Sequence, residues 1–207
     1  MATARYKELS SRYEALVARV RKAETARTKG MTGLAEAVAR HAYKLMAYKD
    51  EYEVARLYAL PDFWRELSDT FEGGYKIHLH LAPPLIAERD PVTGRLVKNE
   101  YGPWILTAFR LLAKLKGLRG TPFDIFGYTA ERRTERRLIA EYEQTIETVL
   151  KTLSHDNHAL AVEIASLPER IRGFGHVKEQ ALAATKAREA QLLEMYKAPA
   201  TRVTAAE

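Results

Sequence analysis

Gly73-Gly-Tyr-Lys-Ile-His-Leu-His-Leu-Ala-Pro-Pro84 is the stretch on which the fold class turns. Tyr75, Ile77, Leu79 and Leu81 alternate with Lys76, His78 and His80, the period-2 pattern of a strand with one buried face. Pro83-Pro84 interrupt it. Asp90-Pro-Val-Thr-Gly94 is a turn signal between Leu85-Ile86 and Leu96-Val97. These features predict a small antiparallel β insert over about residues 75–97. Everywhere else the apolar period is near 3.6, so the fold class is mainly α: a multi-helix domain with that insert.

Working outward, Tyr6, Leu9, Tyr13, Leu16 and Val20 mark a helix over Arg5 to Thr28, closed by Lys29-Gly30. Thr32 is placed to cap a second, long helix reaching about Leu60. Leu34, Val38, His41, Leu45, Tyr48, Tyr52 and Ala55 keep one seam along it. Pro61 starts a short helix through Phe71. Beyond the insert, Pro103 opens a helix with Trp104, Ala108, Leu111 and Leu115 on one face, ended by Gly117 and Gly120. Thr129 caps a charged helix to Leu153, and Ser154 another to Leu167. Gly173-Phe-Gly175 lead into an Ala-rich helix to about Lys197. The expected organisation is an N-terminal helix (1–31), a helical domain with β insert (32–197) and a flexible tail (198–207).

The 207 residues are 46% hydrophobic and 29% charged, a globular balance. No apolar run approaches the ~20 residues of a membrane helix. Met1 to Arg12 holds no apolar signal segment, so a cytoplasmic protein without a membrane partner is expected. There is no cysteine, which excludes disulfides, thiolate zinc sites, cysteine-held clusters and a cysteine nucleophile. The net charge of +6 favours acidic partners, but 27 acidic residues keep the excess modest. A basic nucleic-acid-binding module is therefore a weak alternative.

No catalytic or metal-ligating residue is assigned. His78 and His80 share a strand face but lack a third ligand nearby. His155, Asp156 and His158 open a helix, where first-turn chemistry accounts for them. His41 falls on the apolar seam. Among Asp50, Glu51 and Glu53, the i,i+4 spacing of Lys49 and Glu53 reads as surface pairing. Gly173-Phe-Gly175 lacks the strand and the further glycine of a dinucleotide fingerprint.

The most particular patch is basic. Arg132, Arg133, Arg136 and Arg137, which follow Thr129, fall within one and a half helical turns. Arg119 and the loop aromatics Phe123, Phe126 and Tyr128 precede them. Free N–H groups at a helix start, with guanidinium forks beside aromatics, suit an anion with an adenine end. The interleaved Glu131 and Glu135 suit cross-domain docking or a solvated helix face. The candidate residues for anion binding or docking are thus Arg119, Tyr128, Thr129, Arg132, Arg133, Arg136 and Arg137.

Three stretches carry a family likeness. They are Lys44-Leu-Met-Ala-Tyr-Lys-Asp-Glu-Tyr-Glu-Val-Ala-Arg-Leu-Tyr58; His80-Leu-Ala-Pro-Pro84 with Tyr101-Gly-Pro-Trp104; and Leu118-Arg-Gly-Thr-Pro-Phe-Asp-Ile-Phe-Gly-Tyr-Thr-Ala-Glu-Arg-Arg133 with Ile171-Arg-Gly-Phe-Gly-His-Val-Lys178. From about Arg5 to Lys197 the chain resembles the C-terminal domain of the long, single-chain bacterial indolepyruvate ferredoxin oxidoreductases. The resemblance implies a parent that oxidatively decarboxylates aryl 2-oxoacids with thiamine diphosphate, coenzyme A and iron–sulfur clusters, passing electrons to ferredoxin. It places the thiamine diphosphate and the iron–sulfur clusters in upstream regions and none of them in this chain. It implies an accessory domain serving assembly, docking or the handling of an anionic ligand such as coenzyme A. The partners are then the upstream domains or subunits, and the chain is a trimmed piece or a separately encoded module. A stand-alone helical adaptor is the alternative.

Iron–sulfur ligation needs cysteine thiolates. The isolated chain is therefore expected to be colourless and to reduce no dye with indolepyruvate. Visible cluster absorbance after anaerobic reconstitution would contradict this.

Overall fold

The computed structural model describes residues 4–83, 87–88, 90–92, 96–173 and 175–198. The protein is mainly α. Its described residues form eight α-helices and one two-stranded antiparallel sheet. The helices are α1 (Ala4–Arg27), α2 (Leu34–Met46), α3 (Glu51–Tyr58), α4 (Pro61–Thr70), α5 (Trp104–Lys114), α6 (Ala130–Lys151), α7 (His158–Ser166) and α8 (His176–Lys197). Packing divides the chain into two compact units, residues 1–47 with 137–207 and residues 48–136.

In the first unit α1 packs on α2, α2 on α7, and α7 on α8. Leu16, Val20, Leu34, Val38, Ile146, Val149, Ile164 and Leu192 form its fully enclosed core. The hydroxyls of Tyr142 and Tyr196 donate to the carbonyls of Ala165 and Val149, each at 2.8 Å, so both rings are buried without an orphaned donor.

The start of α2 is capped from a distance. Gly33, not Thr32, is the N-cap, with φ 117°, and no side chain of its own segment caps the helix. The Glu24 carboxylate of α1 takes that place, accepting from Leu34 N at 2.8 Å and Ala35 N at 2.9 Å. Its Oε1 also lies 2.8 Å from Nε2 of His158, the first residue of α7. Burial opposes the Glu24 charge. The His158 contact and the two amides outweigh it, holding the carboxyl below its usual range. Thr28 Oγ1 donates to the Glu24 carbonyl at 2.7 Å.

Three local expectations are corrected. The long helix expected from Thr32 to about Leu60 is two helices, broken between Met46 and Glu51. Asp50 caps the second by accepting from Glu53 N at 2.9 Å, and this favourable cap outcompetes continuation through it. The helix after Ser154 begins at His158 with Asn157 as N-cap. Asn157 Oδ1 accepts from Ser154 N at 2.8 Å, folding the preceding turn back on itself. The sheet is shorter and set further along than expected: β1 (Leu79–Leu81) pairs with β2 (Asn99–Tyr101), with His80 opposite Glu100. Asn99 and Glu100 are exposed, so β2 carries no apolar alternation to reveal it. Leu85, Ile86 and the Thr93-Gly94 end of the expected turn lie outside the described residues, as does the expected tail beyond Ala198.

Glu24→Gln keeps the shape but cannot accept from both amides and answer His158 with a charge. It is expected to lower stability by about 2 kcal/mol, within the range for hydrogen bonds to a charged group. The Glu24 carboxyl is depressed in the fold, so its contribution is present above its unfolded pKa and fades as pH falls through the folded value. Denaturant melts from pH 7 to pH 3 check this: the gap between parent and variant should narrow on acidification, and a constant gap would refute it.

Candidate functional site

The second unit contains most of the expected site, and it is built on the N-terminus of α3. Asp50 and Glu51 stand there within the sequence Asp50-Glu-Tyr-Glu53. Asp50 is buried. Its Oδ2 lies 2.5 Å from Nε of Arg119, which leaves the 3₁₀ turn Leu115–Leu118. Glu51 Oε1 lies 3.3 Å from Nη2 of Arg132 on the first turn of α6. Both guanidiniums face the Tyr48 ring, at 5.1 Å for Arg119 and 5.7 Å for Arg132. Arg119 also donates to the Tyr48 carbonyl at 3.3 Å. Burial works against the Arg132 charge; Glu51, Glu131 and Glu135 more than offset it, and its pKa is raised.

The loop between Arg119 and Thr129 is organised by Asp124, which is buried. Asp124 Oδ2 accepts from Gly120 N at 2.6 Å and Oδ1 from Gly127 N at 3.0 Å. Tyr52 hydrogen-bonds to the same carboxylate; burial, then the charge of Asp124, pushes the phenol up to about 12. Phe126 packs edge-on against Tyr52, with ring centroids 5.3 Å apart. Gly127 is required by space, because a Cβ there would stand 2.6 Å from Asp124 Oδ2. Arg136 Nη2 donates to the Gly127 carbonyl at 2.6 Å, holding the loop from the α6 side. Thr129 Oγ1 accepts from Arg132 N at 3.3 Å and so caps α6.

The seven expected residues therefore separate. Arg119, Arg132 and Arg136 are turned inward and engaged. Thr129 is a cap. Tyr128 is exposed, its hydroxyl donating to the Pro122 carbonyl at 3.0 Å. Arg133 is exposed and makes no side-chain bond among the described residues. Arg137, which belongs to the first unit, is exposed and 3.3 Å from Glu141. Phe123 and Ile125 project into solvent, 74% and 57% exposed.

Sequence reasoning missed the role of Asp50 and Glu51. Glu53 pairs with Arg56 through two hydrogen bonds, at 2.9 and 2.7 Å, and not with Lys49. The available signal was Asp50-x-x-Glu53, the spacing of a capping box. Elsewhere His78 pairs with Glu100 across the sheet. His41 is buried, its Nδ1 3.9 Å from Glu169 without a hydrogen bond, and burial lowers its pKa. Among the described residues no three His, Asp or Glu are grouped to hold a metal ion, and no helix is long and apolar enough to cross a membrane.

Fold and site together define a mainly α chain in which a buried arginine–carboxylate network supports a loop bearing exposed apolar side chains. Residues 5–191 match the model of a family of unknown function, DUF6537, and the chain belongs to that family. No curated protein and no solved structure matches it.

Two neighbouring arginines on α6 should behave oppositely. Arg132→Ala strands Glu51 and is expected to cost about 3–5 kcal/mol, the range for breaking a buried pair. Arg133→Ala should change stability by no more than about 0.5 kcal/mol, as at a plain surface site. Gly127→Ala should cost about 1–3 kcal/mol through overpacking against Asp124. Urea melts of the three variants check the order; equal loss for Arg132→Ala and Arg133→Ala would refute it.

Proposed function

We propose that this chain is an accessory domain of a cytoplasmic oxidoreductase of the indolepyruvate ferredoxin type, and that its loop Arg119–Thr129 serves docking onto the upstream domains. The observation that carries docking over anionic-ligand handling is the internal engagement of the arginines. Arg119 and Arg132 are held by Asp50 and Glu51, and Arg136 by the Gly127 carbonyl. A phosphate arriving at Arg119 or Arg132 would have to displace a buried carboxylate, which leaves that acid desolvated and unpaired.

What the loop offers outward is different in kind. Phe123, Ile125 and Tyr128 are exposed on a backbone fixed by Asp124, and the exposed Arg133 follows one turn after Thr129 on α6. Rigid aromatic anchors rimmed by an arginine are what protein interfaces are enriched in. Little ordering entropy is lost when such a loop is covered. Iron–sulfur clusters of the parent reaction do not fit this chain, which has no cysteine. They belong, on this reading, to the upstream regions, as does thiamine diphosphate.

The test supplies the upstream part of the parent enzyme as a separate polypeptide and measures co-elution with this chain. Phe123→Ser with Tyr128→Ser should weaken the complex by about tenfold or more, on the scale of interface anchors, and leave the melting curve unchanged. Titration calorimetry with coenzyme A should give no heat at millimolar concentration. Saturable heat that vanishes in Arg133→Ala with Arg137→Ala would move the function to ligand handling.

A further inference from the structure

Helix α5 has two apolar faces, and one of them is uncovered. Ile105, Phe109 and Leu112 lie on the inner side. Ile105 is buried, and Phe109 stacks on Tyr58 of α3 with ring centroids 5.5 Å apart. At about 100° per residue, Trp104, Ala108, Leu111 and the following Leu115 fall in one stripe on the other side. Their 4-3-4 spacing is that of a coiled-coil seam. Trp104 is 63% exposed, Leu111 62% and Leu115 42%. Single exposed leucines are ordinary on a soluble protein, whereas three large apolar side chains in one row mark an interaction surface.

The charge around the stripe narrows the partner. From Trp104 to Gly120 there is no acidic residue, but there are Arg110, Lys114, Lys116 and Arg119. Arg119 is bound by Asp50. Lys116 acts on Glu53. Arg110 lies over the Trp64 ring at 5.9 Å. Lys114, which the helical spacing puts along one edge of the stripe, has no partner among the described residues. A second copy of α5 laid on this seam would set cations against cations, which disfavours self-pairing. A lipid surface takes a broad apolar face, but here the side next to the stripe is already covered by α3.

We infer that the exposed face of α5 receives an acidic amphipathic helix from a partner protein, with apolar residues at seam spacing and Asp or Glu along the edges. Seam contacts give the affinity, and the acidic flank meeting Lys114 and Arg110 gives register and selectivity. This does not rest on the oxidoreductase reading. It uses residues on α5 that the loop-docking proposal does not, so either can fail alone.

The experiment titrates the full chain against two labelled synthetic helical peptides with leucine at the seam positions, one flanked by glutamate and one by lysine, and follows anisotropy. The glutamate peptide should bind and the lysine peptide should not. Leu111→Ser with Leu115→Ser should weaken binding by about tenfold or more, as for interface anchors. Both leucines are exposed, so circular dichroism should report an unchanged fold. Arg110→Glu with Lys114→Glu should reverse the preference between the peptides. If that pair disturbs the fold through Trp64, Lys114→Glu alone must at least narrow the preference. Equal binding of both peptides, or binding of neither at millimolar concentration, overturns the inference. So does self-association of the parent chain that the leucine variant abolishes. So does binding to phosphatidylserine vesicles that the glutamate peptide fails to compete away.

Discussion

A guanidinium taken out of water is tolerated when a carboxylate and further hydrogen bonds meet it, and the second unit is arranged around that requirement. Asp50 and Glu51 answer Arg119 and Arg132, whose guanidiniums both face the Tyr48 ring. Asp50 at the same time caps α3. One short acidic segment thus fixes the start of a helix, the exit of the 3₁₀ turn and the first turn of α6. The loop closed by Asp124 sits between these fixed ends, so its exposed side chains are presented from a set position. Breaking the network would loosen the presenting surface before it removed any contact made there.

The first unit uses a related device. Glu24, distant in sequence from Leu34, supplies the cap that Gly33 cannot, and it buries His158 against the same carboxylate. In both units an acid on one element ends or starts another. A cap supplied at long range makes the helix it caps depend on tertiary structure, which ties local order to the assembled unit.

The helices were legible because their apolar positions recur with a clear period, and Pro61, Pro103 and Thr129 mark their starts through local chemistry. The break at Asp50 was less so. The apolar seam through Tyr48 and Tyr52 continues the helical period across it, and only the Asp50-x-x-Glu53 spacing speaks against continuation. The Glu24 cap was not legible at all, since no local pattern tells a glutamate in mid-helix that it will meet a glycine-led helix start. In the candidate site the arginines were found but their direction was not. Arg132 and Arg133 are adjacent and chemically identical, and which one turns inward depends on where Glu51 arrives. Likewise, the spacing of Trp104, Ala108, Leu111 and Leu115 identified a face without saying whether anything covers it.

The loop that carries Phe123, Ile125 and Tyr128 is a loop by shape alone. The amides of Arg119, Gly120, Thr121, Phe123, Asp124, Gly127 and Thr129 all have acceptors within the chain. Solvent hydrogen replaces an amide proton when its bond opens, so these seven amides should exchange more slowly than those of an ordinary surface connection. Covering the loop with a partner would add little protection at those seven, whereas Ile125 and Tyr128, whose amides have no acceptor among the described residues, would gain it. An interface centred there would write its exchange footprint on Ile125 and Tyr128 and leave their bonded neighbours largely silent.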